Sequence, residues 1–282
     1  MNTPHQAAEW LSRAQKAVLF TGAGMSTESG IPDFRSPGGI WATSQPVYFD
    51  DFVASEQARY EYWRQKSQAH RDFSGSEPNQ GHAVIGQWEK KGIIHQVITQ
   101  NIDGLHQMAG CQDVVELHGT ARQVRCLDCG YSEEAGRPVS EFLETDEVPR
   151  CPRCQGITKH ATISFGQQLD ATVLQTACRL AEETDLLLVL GSSLVVEPAA
   201  SLPTIAQRHG ARVVIINRAS RKFVADLLGE VDVQARPTSG FEARRPRPAS
   251  GLTHRAATDA TLRMSLPVIR GGGYSIRPGS VR

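Results

Sequence analysis

The stretch TGAGMSTESGIPDFRS occupies residues 21–36 and directly follows the apolar run AVLF at residues 17–20. A second stretch, TQNIDGLH at residues 99–106, follows the run IIHQVI at residues 93–98. Each stretch therefore lies at the carboxyl end of an expected buried strand, and open α/β sheets bind nucleotides at this end of their strands. Together the two stretches predict a pocket for a dinucleotide rather than for a simple phosphate.

Five apolar runs with helical stretches between them mark the expected strands: residues 18–20, 97–99, 114–117, 185–190 and 213–216. Continuous rather than alternating apolar runs are typical of strands that are covered on both faces. Helices are predicted over residues 172–183 and 198–209, the second with Pro198 near its first turn. This alternation predicts an α/β fold with a doubly wound, mostly parallel, Rossmann-like sheet.

Two segments interrupt this alternation within an expected catalytic domain at residues 1–235. Residues 36–80 are rich in aromatic and charged side chains and are interpreted as a helical excursion that walls a cleft. Residues 120–160 hold two C-x-x-C pairs and little apolar bulk, as a small zinc-binding subdomain does. Residues 236–282 carry nine arginines against two acidic residues. This basic tail has too little apolar surface to fold alone, so we expect disorder or an aberrant ending.

The composition is that of an ordinary globular enzyme, with 40% hydrophobic and 21% charged residues among 282. The net charge of zero predicts neither a nucleic-acid nor a membrane partner, and a solvated tail is favoured over one that contacts nucleic acid. No apolar run reaches 18 residues, and no signal-peptide pattern opens the chain. The cysteine usage described next indicates a reducing compartment, so the expected location is the cytoplasm. The oligomeric state stays open.

Four of the six cysteines form two C-x-x-C pairs separated by 21 residues. Two such knuckles that present four thiolates favour a tetrahedral zinc site, and with every position taken by protein the zinc would be structural. A redox or disulfide pair is the alternative. The expected ligands are Cys126, Cys129, Cys151 and Cys154. The remaining two, Cys111 and Cys178, are interpreted as buried, inert thiols.

The first glycine turn, Gly22-Ala23-Gly24, lets the backbone approach a pyrophosphate at a strand-to-helix turn. The third glycine of a dehydrogenase fingerprint is missing, because Thr27 stands in its place. A hydride-transfer enzyme is therefore disfavoured. The charged pair around an aromatic ring in Asp33-Phe34-Arg35 is interpreted either as a lid over the cofactor or as a loop salt bridge over a core ring.

Further polar groups follow the other expected strands. Amide and carboxylate groups suit a ribose and a carboxamide, and the second small-residue turn suits the other half of a dinucleotide. The residues concerned are Gln100, Asn101 and Asp103, then Gly191, Ser192 and Ser193, and finally Asn217, which is expected to reach an adenosine ribose. A histidine at a strand end beside a nucleotide site, here His118, is a candidate general base, although most single histidines are packed structurally.

Six motifs occur in the order in which they are found in sirtuins, the NAD-dependent protein deacylases. They are GAGMSTESGIPDFRS, TQNIDGLH, ELHG, the two C-x-x-C pairs, GSSLVVEPA and IINR. The chain resembles this family over residues 5–220. The resemblance implies NAD as a co-substrate, one structural Zn²⁺ and acylated lysine side chains of proteins as the partner.

The resemblance also implies roles residue by residue. His118 matches the general base, and the four paired cysteines match the zinc ligands. The positions that match NAD-binding residues are Ala23, Asp33, Phe34, Arg35, Gln100, Asn101, Asp103, Ser192, Ser193 and Asn217. The positions that match the two edges of the groove for an acyl-lysine peptide include Phe165, Gly166, Val195 and Val196.

The implied reaction gives nicotinamide and O-acyl-ADP-ribose, with His118 removing a proton from a ribose hydroxyl. The alternatives are a protein ADP-ribosyltransferase with the same fold and a catalytically weak NAD-binding module. Gln167 stands where many relatives carry Glu, which we expect to remove a charge from the peptide groove. Tyr60 precedes Arg64 by four residues rather than three, so a preference for acidic acyl chains is not expected. The aromatic stretch around Tyr60 is compatible with a longer apolar acyl chain.

Overall fold

A computed structural model describes residues 4–33, 39 and 45–217 of the chain. Phe34 and Arg35 of the expected cofactor loop lie outside the described residues, as does the basic tail at 236–282. The first part of the expected helical excursion, up to residue 44, is described only at Gly39.

The described residues contain eight strands, which form two separate sheets. The strands are β1 (Ala17–Thr21), β2 (Gln96–Thr99), β3 (Val114–Glu116), β4 (Gly119–Cys126), β5 (Ser132–Glu134), β6 (Thr158–Thr162), β7 (Leu186–Leu190) and β8 (Arg212–Ile216). The larger sheet has the order β3-β2-β1-β7-β8, and all four neighbouring pairs are parallel. This confirms the predicted doubly wound sheet, whose strand order reverses between β1 and β7.

In the part of the chain that the structure describes, eight α-helices connect the strands or pack beside them. They are α1 (Pro4–Arg13), α2 (Phe49–Ala54), α3 (Glu56–Phe73), α4 (Gln80–Lys90), α5 (Leu105–Met108), α6 (Gly136–Thr145), α7 (Ala171–Glu183) and α8 (Leu202–Arg208). Three of them begin at side chains that accept backbone N–H groups of the first turn, among them α3, where Ser55 accepts from Ala58 at 3.3 Å. Asp170 accepts from Thr172 and Val173 at 2.8 and 3.2 Å, and Asn79 accepts from His82 at 3.2 Å.

The larger sheet has an apolar core on each of its faces. Leu19 of β1 belongs to the core that includes Leu11 of α1 and Trp88 of α4. The next residue, Phe20, belongs to the opposite core, together with Leu180 of α7. Successive side chains of a strand point to opposite faces, so a strand between two helical layers needs an unbroken apolar run.

The smaller sheet has the order β5-β4-β6 with antiparallel pairs and forms the expected subdomain. A third core joins it to the helical excursion and contains Phe52, Tyr62, Trp63 and Phe142. The excursion is helical as predicted, since α2 and α3 occupy most of its described part. The smaller sheet and the helices of the excursion therefore share one packed core.

Two predicted boundaries are wrong by a few residues. The helix expected from Pro198 begins at Leu202, because the residues Ala199–Ser201 form a 3₁₀ turn first, and Pro203 rather than Pro198 takes the first α-helical turn. The third strand, expected to reach residue 117 and to be closed by His118, ends at Glu116, so His118 lies in the turn between β3 and β4.

Candidate active site

The two glycine turns interlock where the strand order reverses. The N–H of Gly24 donates to the carbonyl oxygen of Gly191 at 2.9 Å. A Cβ on Gly22 would lie 2.8 Å from Cα of Ser192, and one on Gly191 would lie 2.5 Å from the backbone nitrogen of Met25. The contact between the two turns therefore requires these glycines, whereas the sequence suggested only that they admit a pyrophosphate.

The two long motifs are joined directly through Ser26. Its hydroxyl donates to Oδ2 of Asp103 at 2.7 Å and accepts from Nδ2 of Asn101 at 3.1 Å. The same Nδ2 donates to the carbonyl oxygen of Gly22 at 3.1 Å, and Oδ1 of Asp103 accepts from the N–H of Leu105 at 2.9 Å. Asn101 and Asp103 thus fix the loop after β2 against the turn after β1.

A second buried chain of hydrogen bonds lies beneath this loop. The hydroxyl of Thr21 donates to Oγ1 of Thr99 at 2.8 Å, and Nε2 of His106 lies 2.9 Å from Oγ1 of Thr21. The Thr21 oxygen therefore accepts the Nε2–H of His106. Burial, together with the neighbouring His82, lowers the pKa of His106 to about 3. Ser26, Thr21 and His106 all stand inside the two stretches at residues 21–36 and 99–106, but no pattern in the sequence pointed to these contacts.

His118 presents one nitrogen to the protein and leaves the other unused. Its Nδ1 lies 3.0 Å from the carbonyl oxygen of Gln100, which only accepts hydrogen bonds, so Nδ1 carries the proton. Nε2 is buried and has no hydrogen-bond partner among the described residues. Burial lowers the pKa of His118 below the ordinary 6.5, although the bond to Gln100 opposes this effect. The ring is therefore neutral at pH 7, with a free lone pair on Nε2.

Gln100 links this histidine to the second glycine turn. Its Oε1 accepts from the hydroxyl of Ser192 at 3.2 Å, while its Nε2 is buried without a hydrogen-bond partner in the described part of the chain. A buried donor without an acceptor is costly, so it suits a polar ligand atom at this point. The structure thus brings Gln100, His118 and Ser192 to one edge of the sheet.

The other predicted cofactor residues lie around the same strand ends. Ala23 and Gly24 form the turn after β1, and Asp33 is half-buried further along that loop. Ser193 is exposed after β7, and Asn217 is exposed directly after β8. Ala23, Gly24, Ser193 and Asn217 therefore follow the carboxyl ends of β1, β7 and β8.

The four paired cysteines converge between β4 and the loop before β6. Their sulfur atoms all lie within 4.8 Å of one another. The Sγ atoms of Cys126 and Cys154 are 3.5 Å apart, and those of Cys129 and Cys151 are 3.6 Å apart. A disulfide requires about 2.05 Å, whereas ligands 2.3 Å from a tetrahedral zinc lie about 3.8 Å apart. The donor set and its spacing fit zinc.

The two remaining cysteines differ in burial. Cys111 is buried, and burial raises the pKa of its thiol to about 12, which makes it inert as expected. Cys178 is only half-buried, so its predicted full burial is wrong, although burial raises the pKa of this thiol as well.

The predicted substrate edges are exposed and apolar. Phe165 is 39% exposed, Val195 is 60% exposed, and Val196 next to it is half-buried. The ring of Tyr48 lies 6.0 Å from that of Phe165, and Gly166 has a φ of +82° that favours glycine. Exposed apolar groups of this kind are suited to binding a ligand.

Gln167 faces inward, contrary to the expectation that it changes the charge of the peptide groove. Its Oε1 accepts from the N–H of Ser164 at 3.1 Å and from Nζ of Lys159 at 3.3 Å. Its side chain therefore belongs to the support of the loop, and its effect on the groove is indirect.

The aromatic stretch of α3 is mostly core rather than a lining for an acyl chain. Tyr62 and Trp63 are 2% and 0% exposed. The hydroxyl of Tyr60 donates to Oδ1 of Asp146 at 2.8 Å, and Arg64 is paired with Glu61 at 2.7 Å. Tyr60 and Arg64 are thus engaged with surface carboxylates, and the acyl-chain preference stays a prediction.

None of the helices in the described residues has the length and apolar character needed to cross a membrane.

Comparisons with known proteins agree with this site. The model of the Sir2 family matches residues 22–198. The NAD-dependent protein deacetylase of Rhodopseudomonas palustris is 44% identical over 232 residues, which cover 81% of this chain and 92% of that protein. The NAD-dependent protein deacylase of Thermococcus kodakarensis is 41% identical over 214 residues, which cover 75% of this chain and 83% of that protein.

Solved structures show the same fold. A Sir2 structure with a deacetylated p53 peptide and 3′-O-acetyl ADP ribose has a TM-score of 0.75 at 33% identity and covers 83% of this chain and 98% of that chain. A Sir2 structure with a p53 peptide and NAD⁺ has a TM-score of 0.70 at 34% identity, with 80% and 94% covered. The ordered motifs, the sheet topology and the cysteine cluster all agree with these comparisons. The chain belongs to the Sir2 family.

Proposed function

We propose that this protein removes acetyl and other apolar acyl groups from lysine side chains of proteins in a reaction that consumes NAD. The observation that carries this proposal is a pair of buried nitrogens at the edge of the interlocked glycine turns, Nε2 of His118 and Nε2 of Gln100, neither of which has a partner among the described residues. The names of the relatives, NAD-dependent protein deacetylase and deacylase, support the same reaction.

The residues at the crevice fit NAD. Gln100 offers a buried amide donor and His118 a buried acceptor, which are the two kinds of group that a ribose with its hydroxyls needs. The turn at Ser192 and Ser193 lies on the other side of the strand reversal, where the adenosine half would lie. Asn217 at the end of β8 would extend that side.

When bound, NAD supplies a ribose carbon that takes up the acyl oxygen while nicotinamide leaves. The residues of this chain hold that ribose and exclude water. Nε2 of His118 takes a proton from a ribose hydroxyl, because its lone pair is free and the ring is neutral at pH 7. Asn101 and Asp103 keep the loop after β2 in place, because their side chains bond to Ser26.

The acylated lysine enters from the side of the exposed loops. We propose that its peptide lies as an added strand between Phe165-Gly166 and Val195-Val196. The exposed apolar rings of Phe165 and Tyr48 would be covered by this peptide. Acetyl or an apolar acyl group is favoured, because Arg64 is already paired with Glu61 and so is not offered to an acidic acyl group.

Cys126, Cys129, Cys151 and Cys154 would hold one structural Zn²⁺. With four protein ligands, the ion has no open position for water or substrate, so its contribution is to fold the smaller sheet. Thiolates of this kind persist in a reducing setting, and we propose the cytoplasm as the location.

Turnover of an acetyl-lysine peptide with purified protein tests the proposal. We expect loss of the acetyl group, release of nicotinamide and formation of an acetyl-ADP-ribose, detected by mass spectrometry, only when NAD is present. A peptide with unmodified lysine serves as the matched control.

Two other results would contradict the proposal. Transfer of labelled ADP-ribose onto the protein or peptide, with the acetyl group retained, would indicate an ADP-ribosyltransferase. Binding of NAD without release of nicotinamide would indicate a binding module.

A further inference from the structure

Lys159 on β6 is a buried lysine outside the site described above. It is 2% exposed, and buried lysines are rare unless their ammonium group is bonded. Burial and the nearby Lys66 lower the pKa of Lys159 to about 7. Such a residue carries a cost that its contacts have to offset.

The amine of Lys159 donates to three oxygen atoms. Two are the carbonyl oxygens of His160, at 3.2 Å, and of Thr162. The third is Oε1 of Gln167, at 3.3 Å. None of these three acceptors is a carboxylate, so no negative charge offsets the burial of this amine.

The third acceptor connects Lys159 to the turn formed by residues 164–167. Oε1 of Gln167 also accepts from the N–H of Ser164, and the N–H of Gln167 donates back to the carbonyl oxygen of Ser164 at 3.0 Å. The turn therefore closes on itself, with the amine of Lys159 beneath it and the exposed Phe165 and Gly166 at its tip.

The segment between Lys159 and this turn also contacts the residue of the proposed base. The N–H of Ile163 donates to the carbonyl oxygen of His118 at 2.8 Å. A Cβ on Gly119 would lie 2.0 Å from the carbonyl oxygen of Ala161, so β6 packs tightly against the turn that carries His118. A shift of the turn at residues 164–167 would therefore also displace groups on the substrate side of the site.

We propose that Lys159 is a positioning residue for the acyl-lysine substrate. The amine of Lys159, through Gln167, holds the turn of residues 164–167 in the shape that receives the peptide. This inference rests on the proposed function. Lys159 acts through Gln167 and touches neither the peptide nor NAD.

Steady-state kinetics of Lys159→Met test this role, because Met keeps an unbranched apolar side chain of similar length without the donors. We expect KM for the acetyl peptide to rise about tenfold, the equivalent of one or two hydrogen bonds, with KM for NAD and kcat changed less than about twofold. Lys66→Met is the matched control. The amine of Lys66 lies 5.8 Å from the centre of the Tyr62 ring, and that of Lys159 lies 5.7 Å from the same point. We expect Lys66→Met to leave KM for the peptide unchanged.

Gln167→Leu removes the same contact by changing the other residue, Gln167, which is half-exposed. It is the second variant if Lys159→Met does not fold. We expect a similar rise of KM for the peptide. The double variant should be no worse than either single variant, because both remove one shared contact.

Three results would overturn the inference. One is an unchanged KM for the peptide in both single variants while the wild type deacetylates normally. Another is a multiplicative effect in the double variant, and the third is an equal rise of both KM values, which indicates general loosening of the fold. A wild type without NAD-dependent deacetylation would instead overturn the proposed function, and this inference with it.

Discussion

Nδ1 of His118 lies 3.0 Å from the main-chain carbonyl oxygen of Gln100, and this contact decides which nitrogen of the ring carries the proton. A carbonyl oxygen accepts and never donates, so Nε2 is left as the basic nitrogen. The loop after β2 therefore orients the proposed base as well as lining the pocket.

His118→Tyr should abolish turnover, because a phenol in that position does not accept the ribose proton at neutral pH. General bases contribute about 10²–10⁴-fold, so kcat should fall by at least about 100-fold. Zinc content and the circular dichroism spectrum should stay as in the wild type. Full activity in this variant would contradict the role of His118.

The pH dependence of kcat should have its acidic limb below pH 6.5. Burial lowers the pKa of His118 below this value, and the basic form, which the reaction needs, is present above the pKa. Activity should therefore be level near pH 7 and fall as the pH drops through the pKa of His118. Kinetics with saturating NAD and peptide measure this, and a limb above pH 7 would indicate that another group is limiting.

Gly22→Ala should weaken NAD binding and lower stability. The new Cβ would lie 2.8 Å from Cα of Ser192, so the two glycine turns have to separate. Overpacking of this kind costs about 1–3 kcal/mol. Gly75→Ala is the matched control, since a Cβ there meets nothing within 4 Å, and it should change the free energy of unfolding by less than about 0.5 kcal/mol. Thermal unfolding and calorimetric titration with NAD compare the two, and equal effects would refute the contact.

Cys154→Ser should release the zinc and destabilise the smaller sheet, because it removes one of four converging thiolates. The half-buried Cys178, which lies outside that cluster, gives the matched variant Cys178→Ser. We expect about one zinc per chain in the wild type and in Cys178→Ser by metal analysis, and clearly less in Cys154→Ser. Full zinc occupancy after loss of Cys154 would argue against the four-cysteine site.

Stability should fall with decreasing pH in part because of His106. Its pKa is about 3 in the folded protein and about 6.5 in an unfolded chain, so only the unfolded chain takes up the proton between these values. The stabilisation is complete above pH 6.5 and is lost by up to about 1.4 kcal/mol per pH unit as the pH falls towards 3.

His106→Gln removes this titration while its amide can still donate to Thr21. Its free energy of unfolding, measured with urea at pH 7.5, 6.0 and 5.0, should depend less steeply on pH than that of the wild type. Identical slopes for the two proteins would show that His106 is not protonated on unfolding in this range.

The zinc site and the crevice could be predicted from the sequence because each depends on short-range order. The two residues between the cysteines of each pair set the local turn. Only the approach of the two pairs to each other depended on the tertiary fold. Likewise, parallel strands bring their carboxyl ends to one edge, so motifs after β1, β2 and β7 had to meet. The roles of the individual site residues within that crevice stay predictions.

The boundaries of the helices and the contacts of individual side chains could not be predicted from the sequence in this way. The helix expected from Pro198 starts at Leu202, since a 3₁₀ turn and an α-helical turn share the same apolar spacing at that length. Tyr62 and Trp63 looked suited to an acyl chain but belong to the third core, where the ring of Trp63 lies 6.2 Å from that of Phe142. A sequence pattern shows that a residue is apolar or aromatic, and packing alone shows what it covers.

By itself, the order of residues determined the fold class, the family and the set of groups available for chemistry. Only the tertiary structure decided that Gln167 bonds to Lys159, that Gly22 leaves no room for a Cβ beside Ser192, and that Nε2 of His118, rather than Nδ1, is left without a partner among the described residues. The physical reason is that each of these relationships joins residues that are not adjacent in the sequence. Their distances and angles are set only when the chain folds.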